Sequence, residues 1–140
     1  MVVVQIKRLS ENATLPIRAT PGSAGLDLFS AEDVTIAPDS QSMVKTDLAM
    51  KCPENTYIKL ADRSSMALKK LRVAAGIIDS DFLGNVTVIL HNYNNTSYYV
   101  KKGQRVCQMI VTPIVMPNIV EVDELELTER NINGFGSSGL

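Results

Sequence analysis

The segment AGIIDSDFLGNV, residues 75–86, sets two carboxylates, Asp79 and Asp81, two positions apart between an apolar run and an aromatic. Extended chain turns residues two apart to one side, whereas a hairpin through DSDFLG separates them, so only one carboxylate need face a ligand. A single carboxylate held beside a phosphoryl group accepts a proton from water, the work of a general base in hydrolysis. The same residues also suit an ordinary Asp-rich turn. In ADRSSMALKK, residues 61–70, Arg63 and the hydroxyls of Ser64 and Ser65 precede good helix formers. The free N–H groups and positive dipole end of a helix start favour an anion, and Arg63 adds a charge-assisted contact. A plain capped helix with a solvated arginine fits this segment equally well.

Asp27 lies in SAGLDLFSAED, residues 23–33, where alternation turns it to the face opposite Leu26 and Leu28. A half-buried carboxylate there needs a partner, either Arg105 in an ion pair or a hydrated Mg²⁺. Gln108, in GQRVCQM, offers a neutral amide that could bond a phosphate oxygen. The single histidine, His91, has no ligand cluster around it in sequence and reads as structural. One histidine and two distant cysteines leave no basis for zinc-deaminase or histidine-triad chemistry, so the metal expected is Mg²⁺ carried in with phosphates. The arm RNINGFGSSGL, residues 130–140, combines Arg130, the flat face of Phe135, three glycines and the hydroxyls of Ser137 and Ser138. Backbone N–H groups of Gly136 and its neighbours could cradle phosphates while Phe135 stacks on a base, an inventory for a nucleotide; a disordered terminus has the same composition.

The elements that must position these residues are short and β-like. Runs at 2–6, 34–36, 43–48, 57–60, 85–91, 97–100, 106–112 and 119–122 are predicted strands, separated by Pro, Gly, Asn and Asp turns, with one helix over 64–70 opening on two possible N-cap hydroxyls. That rhythm predicts an all-β barrel or sandwich of one domain, since 140 residues bury one core and not two. A net charge of −1 gives no general attraction to nucleic acid, so no nucleic-acid partner is expected. No apolar run approaches the ~20 residues a bilayer requires, and no membrane is expected. Cys52 and Cys107 match no metal or redox spacing and read as reduced thiols of an intracellular protein, cytoplasmic or nuclear.

AGLDL at 24–28, RSSMA at 63–67, GIIDSDFLG at 76–84, GQRVCQ at 103–108 and RNINGFGSSG at 130–139 resemble, in order, the five motifs of the homotrimeric dUTPase family. The resemblance covers nearly the whole chain. It implies a β-jelly-roll barrel over 1–129, a flexible arm over 130–140, and a homotrimer whose three active sites are each shared between subunits. It implies hydrolysis of dUTP to dUMP and pyrophosphate with Mg²⁺ on the triphosphate, limiting uracil in DNA and supplying dUMP for dTMP synthesis. Asp79 matches the water-activating carboxylate, Gly76 and Ile78 the backbone that reads uracil, and Phe82 the ring that packs on deoxyribose. Arg63, Ser64, Ser65 and Gln108 match phosphate-binding positions, Asp27 the support of a hydrated metal, and Arg130, Phe135, Gly136, Ser137 and Ser138 the closing arm.

The departures are local. Asp62 and Ser65 stand where the family has Pro and Gly in Pro-Arg-Ser-Gly, and the carboxylate of Asp62 is expected to point away from the phosphates. Phe82 replaces a tyrosine, Leu83 a frequent arginine, and Asn131 and Asn133 two glycines. Two other readings stay open: a related dCTP deaminase, for which the second serine speaks but which lacks an acid in 86–92, and a non-enzymatic nucleotide-sensing module.

Overall fold

The computed structural model describes residues 2–137. Its elements are β1 (Gln5–Arg8), β2 (Leu26–Phe29), β3 (Val34–Ile36), β4 (Ser40–Lys45), β5 (Leu48–Lys51), β6 (Thr56–Ala61), α1 (Ser64–Leu68), β7 (Leu71–Ala74), β8 (Ile77–Ile78), β9 (Thr87–Asn92), β10 (Tyr98–Val100) and β11 (Arg105–Pro113). They form a four-stranded sheet β2-β11-β6-β8, a three-stranded sheet β4-β9-β7, and the pairs β1-β5 and β10-β3, antiparallel throughout. This is the all-β architecture expected, with one short helix.

A period of two writes the core. In β9, Val88, Leu90 and Asn92 are buried while Thr87, Ile89 and His91 face the other way, and β6 turns Ile58 and Leu60 inward. These join Leu28, Ile36, Val44, Leu48, Leu71, Val100 and Val106 in one cluster. Strands this short are unstable alone, so burial, at about 1.5–3 kcal/mol for each large aliphatic side chain, is what holds them. Buried Asn92 is satisfied: its Nδ2 donates to Ile36 O at 3.0 Å and Thr96 O at 2.9 Å. Cys52 and Cys107 are buried free thiols, and desolvation pushes Cys107 up to about 12. No helix among the described residues is long and apolar enough to cross a membrane.

Several elements differ from the sequence expectation. The predicted strand 43–48 is two strands, because Asp47 between them takes a left-handed φ of 54°. Its short side chain fits that geometry by local bonding. Ser10 Oγ donates to it at 2.7 Å and Asn85 Nδ2 at 2.8 Å, which holds its carboxyl below the usual range. The first strand is Gln5–Arg8 rather than 2–6, set by pairing with β5. The strands β2, β7 and β8 were not predicted. The predicted strand 119–122 does not form: β11 ends at Pro113, residues 114–137 carry no strand or helix, and Ile119 is 89% exposed. Among the described residues no strand pairs with that stretch. The helix stops at Leu68 instead of residue 70, and Lys70 turns left-handed with φ 60°.

Candidate active site

A β-bulge builds the centre of the site. Residues 105 and 108, three apart, would face opposite sides of a regular strand. In β11 the register slips between Arg105 and Cys107, so Arg105 pairs with Phe29 and Gln108 with Asp27. The extra residue brings both side chains to the Asp27 face. There Arg105 Nη1 donates to Asp27 Oδ2 at 2.7 Å, and Arg63 Nε donates to Oδ1 at 3.2 Å. The Arg105 guanidinium also lies 5.4 Å from the Phe29 ring centre. The Asp27 side chain is 14% exposed, and two guanidiniums against one carboxylate leave one positive charge uncompensated beside the Gln108 amide. Such an arrangement receives an anion with several oxygens.

Arg63 reaches this place because Gln108 also pairs with Ala61, at the end of β6, and the chain then turns into α1. The helix N-cap is Arg63, with no side-chain capping bond, so the expectation that Ser64 or Ser65 caps the helix is corrected. Both serines lie inside its first turn and are exposed, their hydroxyls unspent on the cap. Gln108 Nε2 donates to Asp62 O at 2.9 Å, while the Asp62 carboxylate turns to β7, where it accepts from Val73 N–H and Arg72.

The second cluster is the β7–β9 connection. Gly76 has φ +94°, and a Cβ there would meet Leu60 O at 2.6 Å, so glycine is required for β8 to lie against β6. Among the described residues β6 is the only strand beside β8, which leaves the outer backbone edge of Gly76 to Ile78 open to a ligand. A turn follows, closed by Phe82 N–H to Asp79 O at 3.1 Å. Asp79 is exposed on a groove of about 430 Å³, shared with Asp81, Thr56, Tyr57 and Ile114. Phe82, 44% exposed, lays its ring on Gly84, where a Cβ would come within 2.6 Å of Cζ.

A single chain does not join the two clusters. The strands β2 and β8 are opposite edges of one sheet, and Asp79 comes level with Tyr57, four residues along β6 from Ala61. At ~4.8 Å between strands and ~3.3 Å per residue, Asp27 and Asp79 are separated by roughly 19 Å in a flat sheet. The arm is separate as well: Arg130 Nε donates to Asn133 O at 2.7 Å, Phe135 is fully exposed with φ 52°, and Gly136 and Ser137 are exposed. Ser138 lies outside the described residues. Among the described residues no three His, Cys, Asp or Glu side chains group to hold a metal, and both Asp27 oxygens are engaged by arginine. The described residues therefore do not make a metal cage. His91 Nε2 lies 3.3 Å from Asp39 Oδ1, away from both clusters. From sequence, Arg105 is placed only as a partner for Asp27, Gly25 only as a glycine of the first motif where backbone turns or approaches closely, and Tyr57 only in a strand; the bulge that makes Arg105 part of the cradle leaves no composition signal.

A jelly-roll β fold carrying an anion cradle on one sheet edge and a carboxylate hairpin on the other defines a nucleotide-phosphate-handling β protein. The dUTPase family model matches residues 11–139. The chain is 46% identical over 139 residues to the deoxyuridine 5'-triphosphate nucleotidohydrolase of Oryza sativa, covering 99% of this chain and 81% of that one. In structure it resembles a Staphylococcus bacteriophage 80alpha dUTPase mutant solved with dUpNHpp, at TM-score 0.93 and 31% identity over 99% of both chains. It also resembles the D95N mutant of the dUTPase from phage phi11 of S. aureus, described with a structural Mg(II) ion, at TM-score 0.84 and 28% identity, covering 89% of this chain and 99% of that one. This chain belongs to the dUTPase family.

Proposed function

We propose that this protein hydrolyses dUTP to dUMP and pyrophosphate, limiting uracil in DNA and supplying dUMP for dTMP synthesis. The observation that carries this reading is the bulge-built cradle of Arg63, Arg105 and Gln108 around Asp27, on the same sheet as the Asp79 hairpin. In the proposed mechanism Asp79 accepts a proton from water as the water oxygen attacks phosphorus and the α–β anhydride bond breaks. Arg63, Gln108 and the Ser64 and Ser65 hydroxyls hold the phosphates and stabilise the departing pyrophosphate. The outer backbone of Gly76 and Ile78 reads the uracil edge, and Phe82 packs on the deoxyribose. Mg²⁺ would arrive on the triphosphate as part of the substrate and offset its charge, and Asp27 would support it through water.

The separation of Asp27 from Asp79 supports sites shared between copies, and the family resemblance supports a homotrimer as the assembly. Exposed Val115, Met116, Val120, Leu125 and Leu127 support it too, since monomers rarely leave so much apolar surface to water. On this reading residues 130–140 form an arm that closes over bound nucleotide, with Arg130, Phe135, Gly136, Ser137 and Ser138 on the ligand. Neither nucleic acid nor membrane is a partner, and the free cysteines support an intracellular location, cytoplasmic or nuclear.

The test is pyrophosphate release from dUTP with Mg²⁺, alongside solution mass. We expect a trimer, turnover at least ~100-fold lower in Asp79→Asn with dUpNHpp binding retained, and most turnover lost on deleting 131–140 with the trimer intact. Ammonia release from dCTP, or nucleotide binding by an inactive wild-type protein, would replace this reading with one of the two alternatives.

A further inference from the structure

Asp62 stands where the dUTPase motif has proline, and the structure uses its carbonyl and both carboxylate oxygens. Its carbonyl accepts from Gln108 Nε2 at 2.9 Å, Oδ1 accepts from Val73 N–H at 2.6 Å, and Oδ2 accepts from Arg72 Nε at 2.7 Å. Ala61 before it ends β6 in the four-stranded sheet, whereas Arg72 and Val73 lie in β7 of the three-stranded sheet. One side chain therefore clasps the two sheets together and ties both ends of the excursion that carries Arg63, Ser64 and Ser65. The excursion ends through Lys70 in a left-handed conformation, which a non-glycine residue adopts only when its surroundings hold it.

We propose that Asp62 is a positioning residue for the phosphate cradle: by clasping β7 it fixes the carbonyl that orients Gln108 and the start of α1 from which Arg63 meets Asp27. This rests on the dUTP-hydrolysing reading of the same site. The two bonds of the carboxylate are unequal. The Arg72 side chain is 58% exposed, so its ion pair is screened and weak. The bond from Val73 N–H is part-buried and charge-assisted, and it fixes backbone. The effect therefore resides mainly in Oδ1 and the Val73 amide.

Binding of dUpNHpp, which needs no turnover, and of dUMP separates a cradle effect from general loosening, because only the former ligand fills the cradle. Asp62→Ala is expected to weaken dUpNHpp about tenfold and to raise KM for dUTP similarly, with a smaller change in kcat and in dUMP affinity. Asp62→Asn, which keeps an acceptor for Val73 N–H, restores affinity to within about threefold, and Arg72→Ala costs about twofold. Unchanged dUpNHpp affinity in Asp62→Ala, or equal losses for dUpNHpp and dUMP, overturns the proposal. If Asp62→Ala does not fold, Asp62→Glu, which keeps the charge but displaces the acceptor from Val73 N–H, decides it by the same comparison of ligands. A wild-type protein that releases no pyrophosphate from dUTP sinks the functional reading instead, leaving the binding comparison to be judged separately.

Discussion

An alanine Cβ at position 25 would fall 2.4 Å from Gln108 Oε1 and 3.1 Å from its Cβ, so Gly25 is the space in which Gln108 lies. The glutamine has a flexible end and can swing away, but doing so breaks its bond to Asp62 O. Gly25→Ala should therefore cost little stability and much function. We expect kcat/KM for dUTP to fall at least ~10-fold, the scale of one lost hydrogen bond to a charged group, while Tm changes by only a few degrees. Wild-type kinetics in this variant would remove Gln108 from the site.

Gly76 presents the opposite balance. Its φ of +94° and the backbone oxygen of Leu60 at 2.6 Å from a built Cβ leave nothing flexible to yield. Gly76→Ala should destabilise the fold by at least ~2 kcal/mol through strain and displacement of β8, and should lower turnover through the attached Asp79 turn. Denaturant unfolding measures the first effect and steady-state kinetics the second.

If cradle and base come from different chains, two inactive variants should repair each other. Co-refolding Asp79→Asn with Arg63→Gln in equal amounts would give mixed trimers in which about a quarter of sites pair an intact cradle with an intact Asp79. Activity near that fraction is expected, read against each variant refolded alone. No recovery would mean that each chain serves its own site.

The buried thiol of Cys107 makes stability sensitive to alkali. Its pKa is pushed up to about 12 by desolvation, from an ordinary 9.0, so the unfolded chain gives up this proton first. The contribution is complete below pH 9.0 and is lost as pH rises toward about 12. Unfolding free energy should fall less steeply between these values in Cys107→Ala. Native protein at pH 8 should show no reaction of this thiol with alkylating reagents, and full reaction after denaturation.

Much of the fold was legible where one period ran uninterrupted: β3, β6, β9, β10 and β11 were expected within one or two residues at each end, because alternation and flanking turns agree there. The misses have physical causes. The edge strand β8 has two residues and exists through its pairing with β6, and the predicted strand 119–122 has the right residue types but no partner strand among the described residues. At the site, Asp27, Arg63 and Gln108 could each be named from residue type and motif. Their meeting depends on the register slip at 105–107, which no local pattern of residues encodes. The use of Asp62 as a clasp needed Arg72, ten positions away, to be seen beside it.

The sharing of Asp27 between Arg63 and Arg105 also bears on encounter before contact. In a chain of net charge −1, the cradle is a local reversal of sign, and its field extends over a Debye length of about 8 Å at physiological ionic strength. A triphosphate drifting across this face is drawn toward the cradle more strongly than a monophosphate product leaving it. The same attraction that speeds the arrival of substrate slows the departure of pyrophosphate, so added salt should lower the association rate of substrate and raise the release rate of pyrophosphate while that of dUMP barely responds.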